Sequence, residues 1–318
     1  MRNDIRFYDF ELNLVHILPQ NAPDCGYTSC NTTTEHNGNG AVEIVFRDSE
    51  LKKKIEAYRG NLIVVWNDFQ GFIPCYNFDS SDRVIGMHLN GLLHRSVIPD
   101  VTEQTGDVET IARAVLSRCV PWLTFPEEMA GFSNSVSYCP DKYQTADVYI
   151  QTLFNLDHAG YRITADVKNK KFVFFCIKKK TIPLLLSEGR KNAYDFKVSY
   201  NGKEEAFGGW YQQKQEEGDP VWTYISLDDT KTGIYKIDTV LNATTEAEAM
   251  TELKKHRAEY EMSTTTRNIR YGVDYQLGDV LKVQKDGVTV KKLVSGVNQW
   301  NEKEYGEQPI LTEVEENE

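Results

Sequence analysis

Two aspartates near the C-terminal end of the chain are the first candidates for chemistry. Asp274 and Asp279 lie five positions apart within residues 271–283. At that spacing they could be the paired carboxylates of a glycosidase or oxygen ligands for calcium. A structural role is the alternative, in which Asp274 bonds to nearby backbone and Asp279 fills a turn. We favour the structural role, because Gly278 and Asp279 form a turn signal just before a β-rich run.

Thiol and imidazole groups offer a second set of candidates. Cys25, Cys30 and His36 are close enough in sequence to suggest a metal site. The remaining cysteines and histidines are dispersed, without the paired Cys-x-x-Cys or His-Glu-x-x-His spacing that zinc hydrolases use. A Cys/His nucleophile pair stays open, because such partners are distant in sequence. We therefore name no catalytic, cofactor-binding or metal-ligating residue, and we expect no cofactor.

Aromatic and basic side chains could form binding surfaces. Trp210, Tyr211, Trp222 and Tyr224 cluster on adjacent predicted strands, as sugar-stacking residues do in a carbohydrate-binding module. Period-two alternation along the strands would bury about half of them, which favours core or subunit-interface packing. The lysine runs 52–54 and 178–180, of which the second follows a predicted strand, are interpreted as solvated edges that oppose aggregation, and not as phosphate sites.

Composition limits the classes of protein to be considered. The 318 residues include 36 Lys and Arg against 47 Asp and Glu, so the net charge of −11 repels nucleic-acid backbones on average. A hydrophobic content of 40% excludes a disordered chain, and the length suggests two or three domains. We expect no secretion signal in residues 1–9 and no membrane insertion, because apolar runs of the required length are missing. A cytoplasmic site of folding follows.

The first third of the chain predicts a small β-barrel with one helix. Short apolar runs alternate with turn residues, and Asp48 can cap the helix that Gly60 ends. The predicted elements are a strand pair or bent strand over 7–18, strands over 27–34, 41–46, 62–66, 72–76 and 84–89, and a helix over 50–58. We assign residues 1–100 to this first domain.

A small α+β region follows over residues 101–190. An apolar stripe at helical spacing predicts a helix over 108–119, and Thr145 and Gly160 bracket a second helix over 146–159. Strands are predicted over 161–167 and 172–177. Between the helices, residues 122–142 lack any period and predict a long surface loop.

The last third returns to strands, with one helix among them. Thr245 and Glu248 form a capping box that opens a helix predicted to run through Met262. Strands are predicted over 194–200, 207–213 and 221–227, and residues 280–283 and 288–297 predict a closing hairpin. We assign 191–305 to a second β domain similar to the first and 306–318 to an acidic tail. The predicted fold class is α+β, mainly β, with two tube-like barrel or sandwich domains and an inserted α+β domain.

The motif Tyr271-Gly-Val-Asp-Tyr-Gln-Leu-Gly-Asp-Val280, set between a charged helix and a hairpin, resembles the end of phage tail-hub proteins. These are baseplate-hub or tail-associated proteins of siphophages, related in fold to hubs of contractile injection systems. Residues 7–18 and 91–99 are similar to that family's first domain, and residues 146–177 resemble its helix–strand–strand insertion. The resemblance spans nearly the whole chain, although the loop 122–142 and the cysteine content depart from the family pattern.

The resemblance implies a structural protein and not an enzyme. Its members look like homotrimers in which two tube-like domains per chain make a six-unit ring, adapting a six-fold tail tube to a three-fold tip. The implied partners are tail-tube or distal tail proteins and tip or fibre proteins, with DNA only passing through the channel. The implied location is the virion tail, after assembly in the cytoplasm of a bacterial host.

Two alternative functions remain at this point. Related hubs carry a hydrolase, which makes a tail-associated cell-wall-degrading enzyme one alternative, although only 35 residues follow Val283 and we expect a bare hub. The aromatic cluster makes a carbohydrate-binding receptor module the other. The segments we expect to contact partners are the loop 122–142 and the acidic tail 312–318, because both lack core periodicity.

Overall fold

A computed structural model describes residues 4–20, 22, 25–78, 82–99, 102–140, 142–202, 205–214, 220–256, 259–302 and 304–314. The fold is mainly β, as the sequence predicts. Contacts divide the chain into two compact units, of which unit 1 comprises Met1–Tyr194 with Thr265–Glu318 and unit 2 comprises Asp195–Thr264. In these described ranges, no helix is both long and apolar enough to cross a membrane.

Seven strands in the N-terminal part of unit 1 form a β-barrel. They are β1 Ile5–Tyr8, β2 Leu14–Leu18, β3 Gly26–Glu35, β4 Ala41–Arg47, β5 Leu62–Trp66, β6 Phe69–Asn77 and β7 Arg83–His88. Each pairs antiparallel with the next in the order β3-β4-β7-β6-β5-β1-β2. A backbone bridge between Gln20 and Tyr27 joins the end of β2 to β3, which brings the sheet back onto itself. The predicted strand pair, hairpin and meander are confirmed.

The barrel interior is filled by side chains that alternate along the strands. Val42, Ile44 and Phe46 of β4 point inward together and are almost fully buried. Helix α1, Ser49–Ala57, buries Leu51 and Ile55 in the same core. Its N-cap is Asp48, as predicted, and the carboxylate accepts hydrogen bonds from the backbone of the first turn at 2.8 and 2.9 Å. Each such buried aliphatic side chain contributes about 1.5–3 kcal/mol to stability.

A second core lies between two helices, a short sheet and the outer face of the barrel. Its elements are β8 Val97–Ile98, β9 Gln104–Gly106, α2 Val108–Cys119, β10 Leu123–Thr124, β11 Val136–Tyr138, β12 Gln144–Thr145, α3 Ala146–Asn155, β13 Gly160–Asp166 and β14 Lys171–Ile177. The predicted stripe of α2 is buried here, and Phe154, Tyr161 and Phe174 meet in an aromatic cluster. The 3-10 helix Leu89–Arg95 links this core to the barrel.

Helix α3 is shorter than predicted. The sequence predicts a helix to residue 159, but α3 ends at Asn155, and the amide of Ala159 returns to the carbonyl of Phe154 at 2.9 Å. His158 takes a positive φ of 47° in this turn. The chain therefore turns before Gly160, because Gly160 already begins β13.

After β15, Lys180–Leu186, the chain enters unit 2. The elements that follow are β16 Ala193–Asn201, β17 Gly208–Gln213, β18 Val221–Ser226, β19 Asp238–Val240, α4 Glu246–Leu253 and β20 Glu259–Thr266. In one sheet β17 lies between antiparallel β18 and parallel β19, while β16 and β20 pair as a ribbon. Tyr211, Ile225 and Leu241 point from the three-stranded sheet towards Leu253 of α4 and form the core of unit 2.

The helix predicted to run through Met262 ends nine residues earlier, at Leu253. The predicted capping box is present, since Thr245 and Glu248 bond reciprocally at the helix start. Met262 lies instead in β20, where pairing with β16 supplies the backbone hydrogen bonds. The prediction of a longer helix was wrong, because tertiary pairing overrode a weak local helix pattern.

The C-terminal strands return to unit 1 and join its sheet. They are β21 Asp279–Lys285, β22 Val288–Asn301 and β23 Tyr305–Glu313. The predicted hairpin is confirmed as β21 and β22, which pair antiparallel from Val280 with Leu293 to Lys285 with Val288. Farther along, β22 pairs with β3 through Gly296–Asn301. Residues 306–313, which the sequence assigns to an acidic tail, lie in β23 because their alternating side chains fit the register of β22. Residues 315–318 lie outside the described residues.

These contacts do not test the predicted domain boundaries. The division at residues 100, 190 and 305 stays a prediction about how the chain is organised into domains. By contacts, the first barrel, the α+β region and the C-terminal strands belong to one unit. The C-terminal hairpin, which we expected to close the second β domain, extends the sheet of the first barrel through β22 and β3.

Strand β7 approaches β4 and β6 closely, which allows a mutational test of the barrel packing. A Cβ atom on Gly86 would lie 2.4 Å from the Phe72 carbonyl oxygen and 2.9 Å from Val42, so Gly86→Ala requires the strands to separate. We expect this change to lower the free energy of unfolding by about 1–3 kcal/mol, measured by urea denaturation. Gly189→Ala is the matched control, because that Cβ meets no atom within 4 Å. Equal stability of both variants would contradict the barrel packing.

Candidate functional site

Residues 270–275 form a tight loop that precedes β21. The amide of Gly272 donates to the Tyr275 carbonyl at 2.9 Å, and Gly272 adopts a φ of 76° that only glycine accepts without strain. Asp274 accepts from the amide of Arg270 at 2.8 Å. The prediction that Asp274 bonds locally is therefore confirmed.

Asp279 has a similar local role at the start of β21. Its carboxylate accepts from the amide of Gln276 at 2.7 Å, and burial raises the pKa of this carboxyl above its usual value. Gly278 beside it bonds to the Val294 carbonyl at 3.0 Å and has a φ of 83°. The turn thus attaches β21 to β22, and each of the two aspartates is engaged by its own turn.

An open cleft of about 1330 Å³ runs beside this loop, within unit 1. The turn between β5 and β6, strands β13 and β14, the loop 267–277 and the start of β23 supply its walls. The charged groups that line it are Asp68, Arg162, Arg267, Arg270 and Glu307. The three arginines outnumber the two carboxylates, so the cleft has a small excess of positive charge on a chain of net charge −11.

Hydrogen bonds across the cleft join segments that are distant in sequence. Arg162 donates to the backbone carbonyl of Asp68 and, at 3.4 Å, to the hydroxyl of Tyr271. Glu307 accepts from the amide of Tyr271 at 2.6 Å and from the hydroxyl of Tyr305. These contacts bring β13, the loop and β23 together around Arg162. We call the group formed by Asp68, Arg162, Tyr271 and Glu307, with the tyrosines packed against it, the Arg162 centre.

The tyrosines at this centre are held as neutral hydroxyls. Burial raises the pKa of Tyr271, Tyr275 and Tyr305 above the ordinary value of 10. Trp66 packs edge-on against Tyr305 with ring centres 6.2 Å apart, which extends the centre into the barrel core. The arrangement suits rigid support of the loop and contact with a polar partner on the arginine side.

Burial shifts the pKa values of buried histidines and cysteines of unit 1, so that the imidazoles stay neutral and the thiols stay protonated. Burial, with nearby Arg162, lowers the pKa of His88 from 6.5 to about 3, and burial lowers that of His36 to about 4. Burial also raises the pKa of the Cys30 and Cys176 thiols. At neutral pH these side chains are uncharged parts of the core.

The three residues of the suggested metal site lie in different environments. Cys30 lies in the barrel core, whereas Cys25 is exposed, and His36 packs closely against Gly160 of β13. In the described ranges, no group of three or more His, Cys, Asp or Glu side chains is placed to hold a metal ion.

The two lysine runs take part in local contacts. Lys52 pairs with Asp82 at 3.1 Å, and Lys54 pairs with Glu50 at 3.0 Å on the surface of α1. Lys178 donates to the carbonyl of Gly131 at 2.6 Å. The runs thus neutralise nearby carboxylates or hold a loop.

The aromatic cluster divides between the two faces of the unit 2 sheet. Tyr211 is buried in the core, whereas Trp210 and Trp222 retain 43% and 49% of their exposure. The expectation that alternation buries about half of the cluster was wrong, because Tyr224 lies on the same face as the tryptophans and only one of the four, Tyr211, is buried.

The segment 122–142, predicted to be a long loop, contains the short strands β10 and β11, and its irregular part is attached to α2. Buried Glu109 accepts from the amide of Ala130 at 2.7 Å, and Arg113 donates to the carbonyls of Pro126 and Glu128 at 2.7 and 3.0 Å. Position 141 of this loop lies outside the described residues. Its contact with a partner stays a prediction, as does that of the tail.

Sequence reasoning missed the Arg162 centre. Asp68, Arg162, Tyr271 and Glu307 come from four separate segments, and each looks like an ordinary surface residue in its own segment. The only local signal was the turn chemistry of residues 271–279, which marked the loop but not its partners.

Comparison with known proteins finds similarity in structure and not in sequence. No family model and no curated protein match the chain. Its structure is similar to that of prophage tail protein gp18 from Listeria monocytogenes EGD-e, at 14% identity and a TM-score of 0.55, covering 97% of this chain and 94% of that one. It is also similar to the 43 kDa tail protein of prophage MuSo2 from Shewanella oneidensis, at 13% identity and a TM-score of 0.50, covering 97% of both chains. The resemblance to phage tail proteins is thus confirmed at the level of the fold.

We expect loss of the Arg162 side chain to destabilise the protein, whereas loss of the neighbouring Arg270 side chain should have little effect. Arg162→Ala removes the donor that joins β13 to the Asp68 carbonyl and the Tyr271 hydroxyl. We expect a loss of about 1–3 kcal/mol in the free energy of unfolding, with partial recovery in Arg162→Lys. Arg270→Ala, exposed on the same cleft, is the control and should change stability by less than about 0.5 kcal/mol. Urea denaturation that fails to separate the two alanine variants would refute the role of Arg162.

Buried His88 predicts a loss of stability in mild acid. Between pH 6.5 and about 3 the unfolded chain binds a proton at this position and the folded chain does not, so lowering the pH favours unfolding. We expect up to about 1.4 kcal/mol per pH unit from this group. His88→Asn, which keeps a side-chain acceptor for the amide of Asn90, should reduce the slope of stability against pH. Identical slopes in denaturation at pH 7, 6 and 5 would contradict the assignment.

Proposed function

We propose that this chain, which has the fold of prophage tail proteins, is a structural hub protein at the distal end of a phage or prophage tail. The observation that carries the proposal is the similarity to gp18 along 97% of the chain, which includes both compact units. The environment of the candidate groups supports a structural role. Asp274 and Asp279 serve turns, and the buried histidines and thiols are uncharged at neutral pH.

The proposed assembly is a homotrimer that forms a ring with pseudo-six-fold symmetry. Two tube-like β domains per protomer would give six units from three copies, which matches a six-fold tail tube to a three-fold tip. The barrel of β1–β7 supports the first of these domains. The proposed second would combine unit 2 with the C-terminal strands, although β22 continues the sheet of the first barrel. We retain the division into 1–100, 101–190 and 191–305 as part of this proposal.

The net negative charge supports a channel through which DNA passes without being bound. A net charge of −11 per chain gives the assembly a negative field that repels phosphate backbones. In the proposed ring, DNA passes through the channel, while tail-tube or distal tail proteins and tip or fibre proteins contact the outer surfaces. The loop 122–142 and the C-terminal segment from Thr312 are the proposed contacts. The proposed location is the virion tail, with assembly in the cytoplasm of the bacterial host.

A surface of the barrel is suited to contact between copies. Strand β2 stands last in the strand order of the barrel sheet and exposes Leu14 and Ile17 at 53% and 45%. Large aliphatic side chains on a short outer strand are costly in water and are typical of surfaces covered in an assembly. We place one contact of the ring at this strand.

The trimer is tested by native mass spectrometry of the purified full chain, followed by class averages in the electron microscope. We expect three-chain rings with an open channel. The double variant Leu14→Lys with Ile17→Lys should lose the trimer while keeping its circular dichroism spectrum, because two charges cannot be buried against a neighbour. Val273→Lys, at a 67% exposed residue outside β2, is the matched control. A strict monomer, even when mixed with its tube protein, would refute the hub assignment.

A further inference from the structure

One face of the unit 2 sheet is covered by α4, and the opposite face is aromatic. In the register of the sheet, Trp210 lies between Tyr224 on β18 and Val240 on β19, and Gln212 lies beside Trp222. These side chains therefore share one face. Trp222 and Val240 are 49% and 69% exposed, so the face is accessible in the chain.

A groove of about 560 Å³ opens between the start of β18 and the segment that follows β19. Trp222 and Val240 supply apolar surface to it. Gln212, Lys214 and Asn242, which carry amide and ammonium groups, also line it. The groove thus combines one aromatic ring with hydrogen-bond donors and acceptors.

A fixed polar network lies next to the groove. The Tyr224 hydroxyl donates to Asp238 at 3.0 Å, and Lys236 pairs with the same carboxylate at 3.2 Å while lying 4.3 Å from the Tyr224 ring centre. The ring of Trp210 is 5.1 Å from that of Tyr224. Because each polar group is held by another, the network can present oxygen and nitrogen atoms without a large cost in side-chain entropy.

This pattern fits a sugar better than a protein surface. A pyranose ring has an apolar C–H face that covers an aromatic ring and a rim of hydroxyls that bond to amides, carboxylates and ammonium groups. The core of a protein interface is depleted of charged side chains, whereas each aromatic ring here has a charged or amide neighbour. Residues 195–264 contain 8 Lys and Arg against 14 Asp and Glu, which disfavours a polyanionic ligand.

We infer that this face of unit 2 is a binding site for a neutral carbohydrate, with Trp222 as the stacking residue in the groove and Trp210 extending the surface. Gln212 and Asn242 bind ring hydroxyls or acetamido groups. The binding site stands on the geometry of unit 2. Its use in attaching a tail to a glycan on the host surface rests on the proposed function.

The test uses the full chain and a panel of neutral oligosaccharides built from N-acetylglucosamine, glucose, galactose or rhamnose. Binding is followed by calorimetry and by the fluorescence of the exposed tryptophans. We expect Trp222→Ala to weaken binding about tenfold or more, because it removes most of the stacked apolar area. Trp222→Phe should recover part of the affinity, and Gln212→Ala should weaken binding without loss of folding. Tyr143→Ala, which removes a 63% exposed aromatic side chain in unit 1, is the matched control and should bind as the parent does.

Three outcomes would overturn the inference. The chain could bind no member of the panel, Trp222→Ala and Tyr143→Ala could bind equally well, or Trp222→Ala could change the oligomeric state, which would make this face an interface between copies. Native mass spectrometry separates this inference from the proposed function. A trimer that binds no glycan would refute only the carbohydrate site, whereas a monomer with Trp222-dependent binding would refute only the hub.

Discussion

The continuity of β22 is the constraint on which the architecture of unit 1 depends. Its first half pairs with β21, its second half pairs with β3, and β23 pairs along its other edge. One strand of 14 residues therefore joins the C-terminal strands to the N-terminal barrel. Gly296 permits this crossing, because a Cβ there would lie 2.9 Å from the Thr34 carbonyl oxygen. Backbone hydrogen bonds in a shared strand make the two regions one cooperative body.

That scaffold determines the role of the groups that looked reactive in the sequence. Asp274 and Asp279 hold the loop and turn that deliver the chain into β21, and Arg162 ties the same loop to β13. His88 lies against Phe69 inside the barrel with ring centres 5.6 Å apart and stays neutral there. Polar residues at these positions orient backbone segments.

Unit 2 distributes its residues differently. Its core is small and is built around Tyr211 and Leu253, while large aromatic and aliphatic side chains remain on its outer sheet face. A protein seldom exposes such a set without a ligand or partner, because the exposed apolar area costs free energy in water. Under the proposed function, the barrel would serve assembly and this face would serve recognition.

Local patterns in the sequence determined most of the strands, the helices α1 and α2 and the start of α4, because side-chain period, caps and turn residues act within a few positions. Alternation also indicated that the aromatic cluster would divide between two faces, but it overestimated the buried share, since only Tyr211 is buried. Only the tertiary structure decided that β22 pairs with β3, more than 260 positions away, that Met262 lies in a strand, and that Arg162 meets Tyr271. Such choices depend on which distant segments satisfy each other's hydrogen bonds and bury each other's surfaces, and no local pattern records that.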